Sequence, residues 1–153
     1  GMEEGHLPDL AGEATDCAAH LAELMSGGSK GAGLWAVTGG ETTVQLGASP
    51  GKGGRAQEMG IAYAAAIHDA GASTGWAALI GGTDGRDGPT DAAGAILCSE
   101  DPFDAAAAAR ALAAHDSYSY LDAHGQLLKV PPTGTNLGDI GIFIAAGSGQ
   151  QGD

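Results

Sequence analysis

Three glycine-rich loops hold most of the residues suited to chemistry: "GKGGRAQE" at 51–58, "GGTDGRDGPTDAAG" at 81–94 and "PPTGTN" at 131–136. Each follows a β-prone run, and ligands in open α/β sheets gather beyond the carboxyl ends of the strands. The loops read either as one shared rim or as three ordinary connecting turns. The cations favour the rim. Lys52, Arg55 and Arg86, three of the six basic residues in a chain of net charge −13, all lie in the first two loops. A strongly acidic protein that concentrates its few cations among flexible glycines is arranging an anion site.

The first loop looks like a phosphate loop but is not a Walker A motif. Only three residues separate Gly47 from Gly51-Lys52, and Gly53 stands where a Ser or Thr should hold magnesium. A strand that runs through glycines into a helix start still offers free backbone N–H groups, here at Gly53 and Gly54, to an anion. Arg55 adds a fork for a carboxylate or phosphate; otherwise it is a surface arginine paired with Glu58.

The second loop carries Asp84, Arg86, Asp87 and Asp91. Acids so spaced in a glycine-rich turn can face one hard cation such as Mg²⁺, with Asp84 and Asp91 as candidate ligands. The alternative is Asx-turn chemistry, which suits Asp87 better than Asp84, the residue nearer the strand end. In the third loop, Thr133, Thr135 and Asn136 either orient an oxyanion or hydroxyl, or cap turns. His115 and Asp116 adjoin in "HDSYSY", with no spacing that assigns them roles. His6, His20, His68 and His124 show no ligand spacing, which argues against zinc.

The elements that must position these loops are legible as periodicities. Residues 10–25 read as an amphipathic helix through Leu10, Ala14, Cys17, Leu21 and Leu24, ended by "SGGSKGAG". "LWAV" (34–37) and "TTVQL" (42–46) read as strands too close for a crossover helix, hence an antiparallel or bulged pair. A helix over about 55–70 is lined by Met59, Tyr63, Ala66 and Ile67. "GWAALIGG" (75–82), "GAILC" (94–98), "QLLKV" (126–130) and "DIGIFIAA" (139–146) read as strands. Residues 101–115 read as a helix with Asp101 as N-cap and Pro102 at its first position, and 117–125 as a short helix closed by Gly125. The alternation implies a three-layer α/β/α fold around a mixed, mostly parallel sheet of five to six strands.

A chain of 153 residues reads as one domain over 10–146, after a tail at 1–9 that starts with the Gly1 scar of a cleaved tag and before a disordered tail at 147–153. The net charge excludes nucleic acid and anionic membrane as main partners. No apolar run reaches the ~20 residues of a membrane span, and no signal peptide is visible, so a cytoplasmic protein is expected. Cys17 and Cys98 lie outside any C-x-x-C and read as buried, reduced thiols.

Five segments in order also carry a resemblance: "TGGETTV" (38–44), "GKGGRAQE" (51–58), "GTDGRDGPTDAAGA" (82–95), "HDSYSYL" (115–121) and "PTGTNLGDI" (132–140). Together they resemble the C-terminal MOFRL domain of glycerate kinases of the 2-phosphorylating type, some of whose relatives carry the name hydroxypyruvate reductase. The resemblance spans about residues 33–145. It implies a larger two-domain enzyme whose active site lies between this domain and an N-terminal Rossmann-like half. It implies ATP and Mg²⁺ as cofactors, and a small hydroxy acid and a nucleotide as ligands. Arg55 and Asp84 are then catalytic cleft residues; Lys52, Gly53, Gly54, Thr133, Thr135 and Asn136 bind substrate or anion nearby. The chain departs from the family pattern at Ala56, His115, Pro131 and Gly138, which points to a specialised or decayed copy. The alternative is a stand-alone, non-catalytic module that binds an anion or docks on a separate subunit. A nicotinamide-dependent reductase has little support, because no G-x-G-x-x-G opens a βαβ unit.

Overall fold

The computed structural model describes residues 1–27, 32–72 and 75–147. Ten elements follow one another: β1 (Met2–Glu4), α1 (Ala14–Ser26), β2 (Gly33–Gly40), α2 (Arg55–Asp69), β3 (Trp76–Gly82), β4 (Gly94–Cys98), α3 (Ala105–Ala113), α4 (Ser117–Ala123), β5 (Leu127–Leu128) and β6 (Asp139–Ala145). The strands form one mixed sheet in the order β1-β2-β6-β3-β4-β5. The mixed six-stranded α/β sheet agrees with the sequence, but the expected parallel majority does not. Only β1 and β2 pair in parallel; the other four neighbouring pairs are antiparallel.

The reason is an insertion. β2 and β3 flank α2 as in a βαβ unit, and both run antiparallel to β6, hence parallel to each other. The last strand has entered between them. Its arrival also explains why 42–46 is not a strand. β2 continues to Gly40 with β6 along one side, while β1 pairs at 33–35 and Leu10 bridges Gly40 on the other, so "TTVQL" does not take either side. That segment keeps a single bridge, Glu13↔Thr43, while Val44 packs on the core. Residues 2–4 of the expected tail form the edge strand β1.

Strand alternation separates two faces. One carries Ala36, Phe143, Ala78, Ile80, Ala95 and Leu97, all buried. Helices α1 and α2 cover its β2 side, where Tyr63 meets the Phe143 ring at 4.9 Å and Trp76 edge-on at 5.9 Å. Helices α2, α3 and α4 cover its β4 side. All four helices thus lie on one face, and the fold among the described residues has two layers rather than the expected three. α2 lies close to the sheet because Gly60 has no side chain: a Cβ there would fall 2.7 Å from the Ala95 Cβ.

Helix limits moved where caps decided them. α1 starts at Ala14, after Gly12 turns the chain at φ 74°. α3 starts at Ala105 with Asp104, not Asp101, as its N-cap; Asp104 accepts from the Ala107 amide at 2.9 Å. Asp101 instead accepts from the Cys98 amide at the end of β4. Cys17 and Cys98 are free and half-buried. Residues 28–31 of the predicted breaker and 148–153 of the predicted tail lie outside the described residues. No helix among the described residues is long and apolar enough to cross a membrane.

Candidate functional site

The carboxyl ends of β2 and β3 and the start of β6 come together at one point, where Gly40 and Gly82 both pair with Asp139. The three loops meet around it. Arg55, the first residue of α2, reaches across and donates from Nε to Asp139 Oδ2 at 2.7 Å, and from Nη2 to Asp139 Oδ1 at 3.1 Å and Glu41 Oε1 at 2.8 Å. These carboxylates, the bond to Asp139 foremost, hold the guanidinium above its ordinary pKa, so it stays charged. Arg55 therefore pairs with neither of its sequence alternatives alone: it faces the cleft, yet two acids of the same chain already occupy it, and Glu58 is not one of them. Asp139 is almost fully buried, and Arg55 is its ion-pair partner.

Thr83 clips the second loop to the third. Its Oγ1 donates to the Gly138 carbonyl at 2.8 Å and accepts from the Leu137 amide at 2.8 Å, and its own carbonyl accepts from Thr133 Oγ1. The Thr133 hydroxyl is thus spent on the loop, and the Asn136 side chain accepts from Gly138 N at 3.3 Å. Thr133 and Thr135 exchange contacts within the turn. These three residues shape the rim as turn caps. Asn136 lines a shallow hollow with Glu41 and Leu137, apart from the cavity that Arg55 lines.

A cavity of about 500 Å³ is walled by Gly53, Gly54, Arg55, Asp84 and Arg86, with Glu58 and His115 at its side. Asp84 Oδ1 accepts from the Arg86 amide at 2.9 Å, an Asx turn that leaves its other oxygen without a protein partner among the described residues. Asp91 lies elsewhere. It accepts from Tyr118 Oη at 2.6 Å and from Lys129 Nζ at 3.2 Å, and lines a separate hollow. The expected joint cation site of Asp84 and Asp91 is therefore not formed, and no cluster of three His, Cys, Asp or Glu suited to a metal occurs among the described residues. Lys52 also points away from the cavity: its ammonium sits 3.5 Å from the centre of the Tyr118 ring.

The start of α2 is not a vacant anion site. Asp87 fills it, accepting from the Ala56 amide at 3.1 Å and the Gln57 amide at 2.8 Å. Gly54 permits this approach, since a Cβ there would fall 2.3 Å from the Asp87 carboxyl carbon. Burial pushes the Asp87 carboxyl above its ordinary 3.8, against the two amide bonds that lower it.

A second pair with a buried carboxylate was missed from the sequence. Glu58, in the first turn of α2, is about 4% exposed, and both its oxygens lie 3.1–3.2 Å from His115 Nδ1. His115 has φ 51°, the one described non-glycine residue with positive φ. A buried carboxylate needs such a partner, and the left-handed turn aims the imidazole at it. The turn between two helices was the only signal, and it does not specify the pairing.

Comparison with known proteins places this geometry. The family model described as "MOFRL family" matches residues 34–139. A putative hydroxypyruvate reductase of Agrobacterium vitis is 42% identical over 145 residues, which cover 88% of this chain and 32% of that protein. The crystal structure of the PH0495 protein of Pyrococcus horikoshii superposes with a TM-score of 0.82 at 31% identity, covering 97% of this chain and 35% of the other. That of a glycerate kinase from Thermotoga maritima gives 0.78 at 32% identity, covering 95% and 37%. The chain spans between 24% and 38% of the length of the curated relatives it matches. With the fold, the rim and the family model in agreement over the same residues, this chain belongs to the MOFRL family.

Proposed function

We propose that the cavity beside Arg55 is one wall of the active site of a glycerate-kinase-like enzyme, which moves the terminal phosphoryl group of ATP to the 2-hydroxyl of D-glycerate. The observation that carries this reading is the convergence of three glycine-rich loops on a 500 Å³ cavity that holds Arg55 and Arg86 in an otherwise acidic protein. Phosphoryl transfer needs little covalent help; it needs positioning and compensation of charge. Arg86 is the cation in the wall best placed to meet a phosphate or carboxylate. Arg55 does so only if the ligand shares it with Glu41. Magnesium is held in such enzymes by one or two carboxylates together with phosphate oxygens. Asp84 fits that need through its unpartnered oxygen, and Asp91 does not.

The wall described here is expected to need a second one. Relatives with the kinase name are several times longer than the part this chain matches. The isolated chain is therefore expected to release no ADP from ATP, Mg²⁺ and D-glycerate in a coupled assay, and turnover would refute the need for a second half. Weak binding of phosphate or glycerate to this wall should remain measurable by calorimetry. Arg86→Ala should weaken it roughly 10-fold, the order of a lost charge-assisted hydrogen bond; unchanged affinity would remove Arg86 from the site. Arg86→Ala is a cleaner test than Arg55→Ala, which also strips the buried Asp139 of its partner. The occupied state of Arg55 favours one other reading, a non-catalytic module that docks on a separate subunit. Capture of a Rossmann-like partner with no turnover in the complex would support that instead.

A further inference from the structure

His115 sits where a glycine is usual. α3 ends in a Schellman turn: the Asp116 amide donates to the Ala111 carbonyl at 2.8 Å, and the His115 amide to the Leu112 carbonyl at 3.1 Å. Such a turn needs a left-handed residue just past the cap, and His115 supplies it at φ 51°. The other nine described positions with positive φ are all glycines. A chain so rich in glycine that keeps a histidine here keeps it for its side chain.

Stability alone does not account for that side chain. Well-packed apolar residues serve as well as, or better than, a buried carboxylate and its partner. What the pair does is orient. Glu58 Oε1 and Oε2 lie 3.2 and 3.1 Å from His115 Nδ1, and an ionised carboxylate only accepts, so it fixes the proton on Nδ1. The lone pair of the neutral ring then falls on Nε2, which has no protein partner among the described residues. The imidazole is about 21% exposed and lines the cavity that Arg55, Asp84 and Arg86 also wall.

We propose that His115 is a ligand-binding residue of this cavity, its Nε2 accepting the hydrogen bond of a ligand hydroxyl, with Glu58 as the positioning residue. The ligand class is a small carboxylate with a hydroxyl on the carbon next to its carboxyl group; the proposal therefore rests on the cavity being a hydroxy-acid site. Charge selects the imidazole for this task. An anion needs an acceptor for its hydroxyl that does not repel it. The acids along the cavity are poor choices: Asp87 is spent on the α2 amides, Glu58 on His115, and Asp84 is a carboxylate. Among the described residues, neutral His115 is the one uncharged side-chain acceptor that lines it.

Two measurements on the purified chain decide it. Proton–nitrogen correlation spectra of the labelled imidazoles at about pH 8, where a histidine is mostly neutral, should show His115 with its proton on Nδ1. D-glycerate should then shift the Nε2 resonance. A ring protonated on Nε2 instead overturns the proposal. Calorimetry compares D-glycerate with 3-hydroxypropionate, which lacks the 2-hydroxyl, and the chain should prefer D-glycerate about 5-fold or more, the order of one hydrogen bond. His115→Asn tolerates the left-handed backbone and leaves an amide donor near Glu58. It should abolish that preference while holding 3-hydroxypropionate affinity within about 2-fold. Should it misfold by circular dichroism, His115→Gly, which suits the turn, is measured in its place with the same expectation. An equal loss for both acids marks a purely structural histidine and overturns the proposal. D-glycerate binding that leaves the His115 nitrogens unmoved overturns it alone; absence of binding by both D-glycerate and phosphate overturns it together with the hydroxy-acid site.

Discussion

Asp87 does for α2 what an N-cap side chain usually does from within its own turn, but from another loop. Its two bonds join the second glycine loop to the helix that the first loop starts, so the residue positions the cavity wall without entering it. Asp87→Ala leaves two buried amides unpaired and should cost about 1–3 kcal/mol in urea unfolding. Burial has raised the folded pKa, so the stabilisation by Asp87 is greatest below its ordinary value and declines as pH rises through the folded one. The loss on substitution should therefore be larger near pH 4 than near pH 7; a loss that grows toward pH 7 contradicts the burial account. Residue types revealed where polar chemistry would gather. They did not reveal that Asp87 caps a helix thirty residues away in sequence, or that Arg55 would be taken by Asp139 and Glu41. Those pairings depend on β6, which brings Asp139 to the rim.

At the scale of elements, periodicity located the interiors well. Met59, Tyr63 and Ile67 line the buried face of α2 as their spacing indicates, and β4 occupies the run "GAILC" read for it. Pairing was hidden. β2 and its expected partner at 42–46 are adjacent in sequence, but the stronger partner lies a hundred residues on, and local pattern says nothing of it. Gly60 likewise looks like a blemish in a helix until the sheet is present. Gly60→Ala tests that contact. Helix propensity favours Ala by about 1 kcal/mol, while forcing a methyl into packed space costs about 1–3 kcal/mol. With the Ala95 methyl only 2.7 Å from the new Cβ, packing should win, and the thermal midpoint should fall by roughly 2–4 °C. A raised midpoint would show that α2 can lift off the sheet at no cost.

At the scale of the molecule, the uneven placement of charge matters more than its total. Acids crowd the helix side and the loops, half of the six cations lie in the rim loops, and the strands β2, β6, β3 and β4 carry no charge on the open sheet face. Exposed pairs such as Lys129–Asp91 and Arg55–Glu41 weaken with salt, but each is worth little. Repulsion among 19 acids outweighs them. Raising sodium chloride from about 20 to about 200 mM should therefore raise the thermal midpoint; a fall would mean that the ion pairs dominate.

The placement of β6 in the middle of the sheet has a further consequence, for the order of assembly. β6 is made after β2 and β3 and fills the slot between them, so neither of those strands gains its central neighbour until residues 139–145 have left the ribosome. Earlier, the nascent chain exposes two unpaired edges flanking a gap, the condition in which strands seek partners on other chains. Loss of residues 139–145 would therefore not trim the domain at its margin. It would divide the sheet through its centre and release Asp139 from Arg55, taking apart the core and the cavity wall in one step.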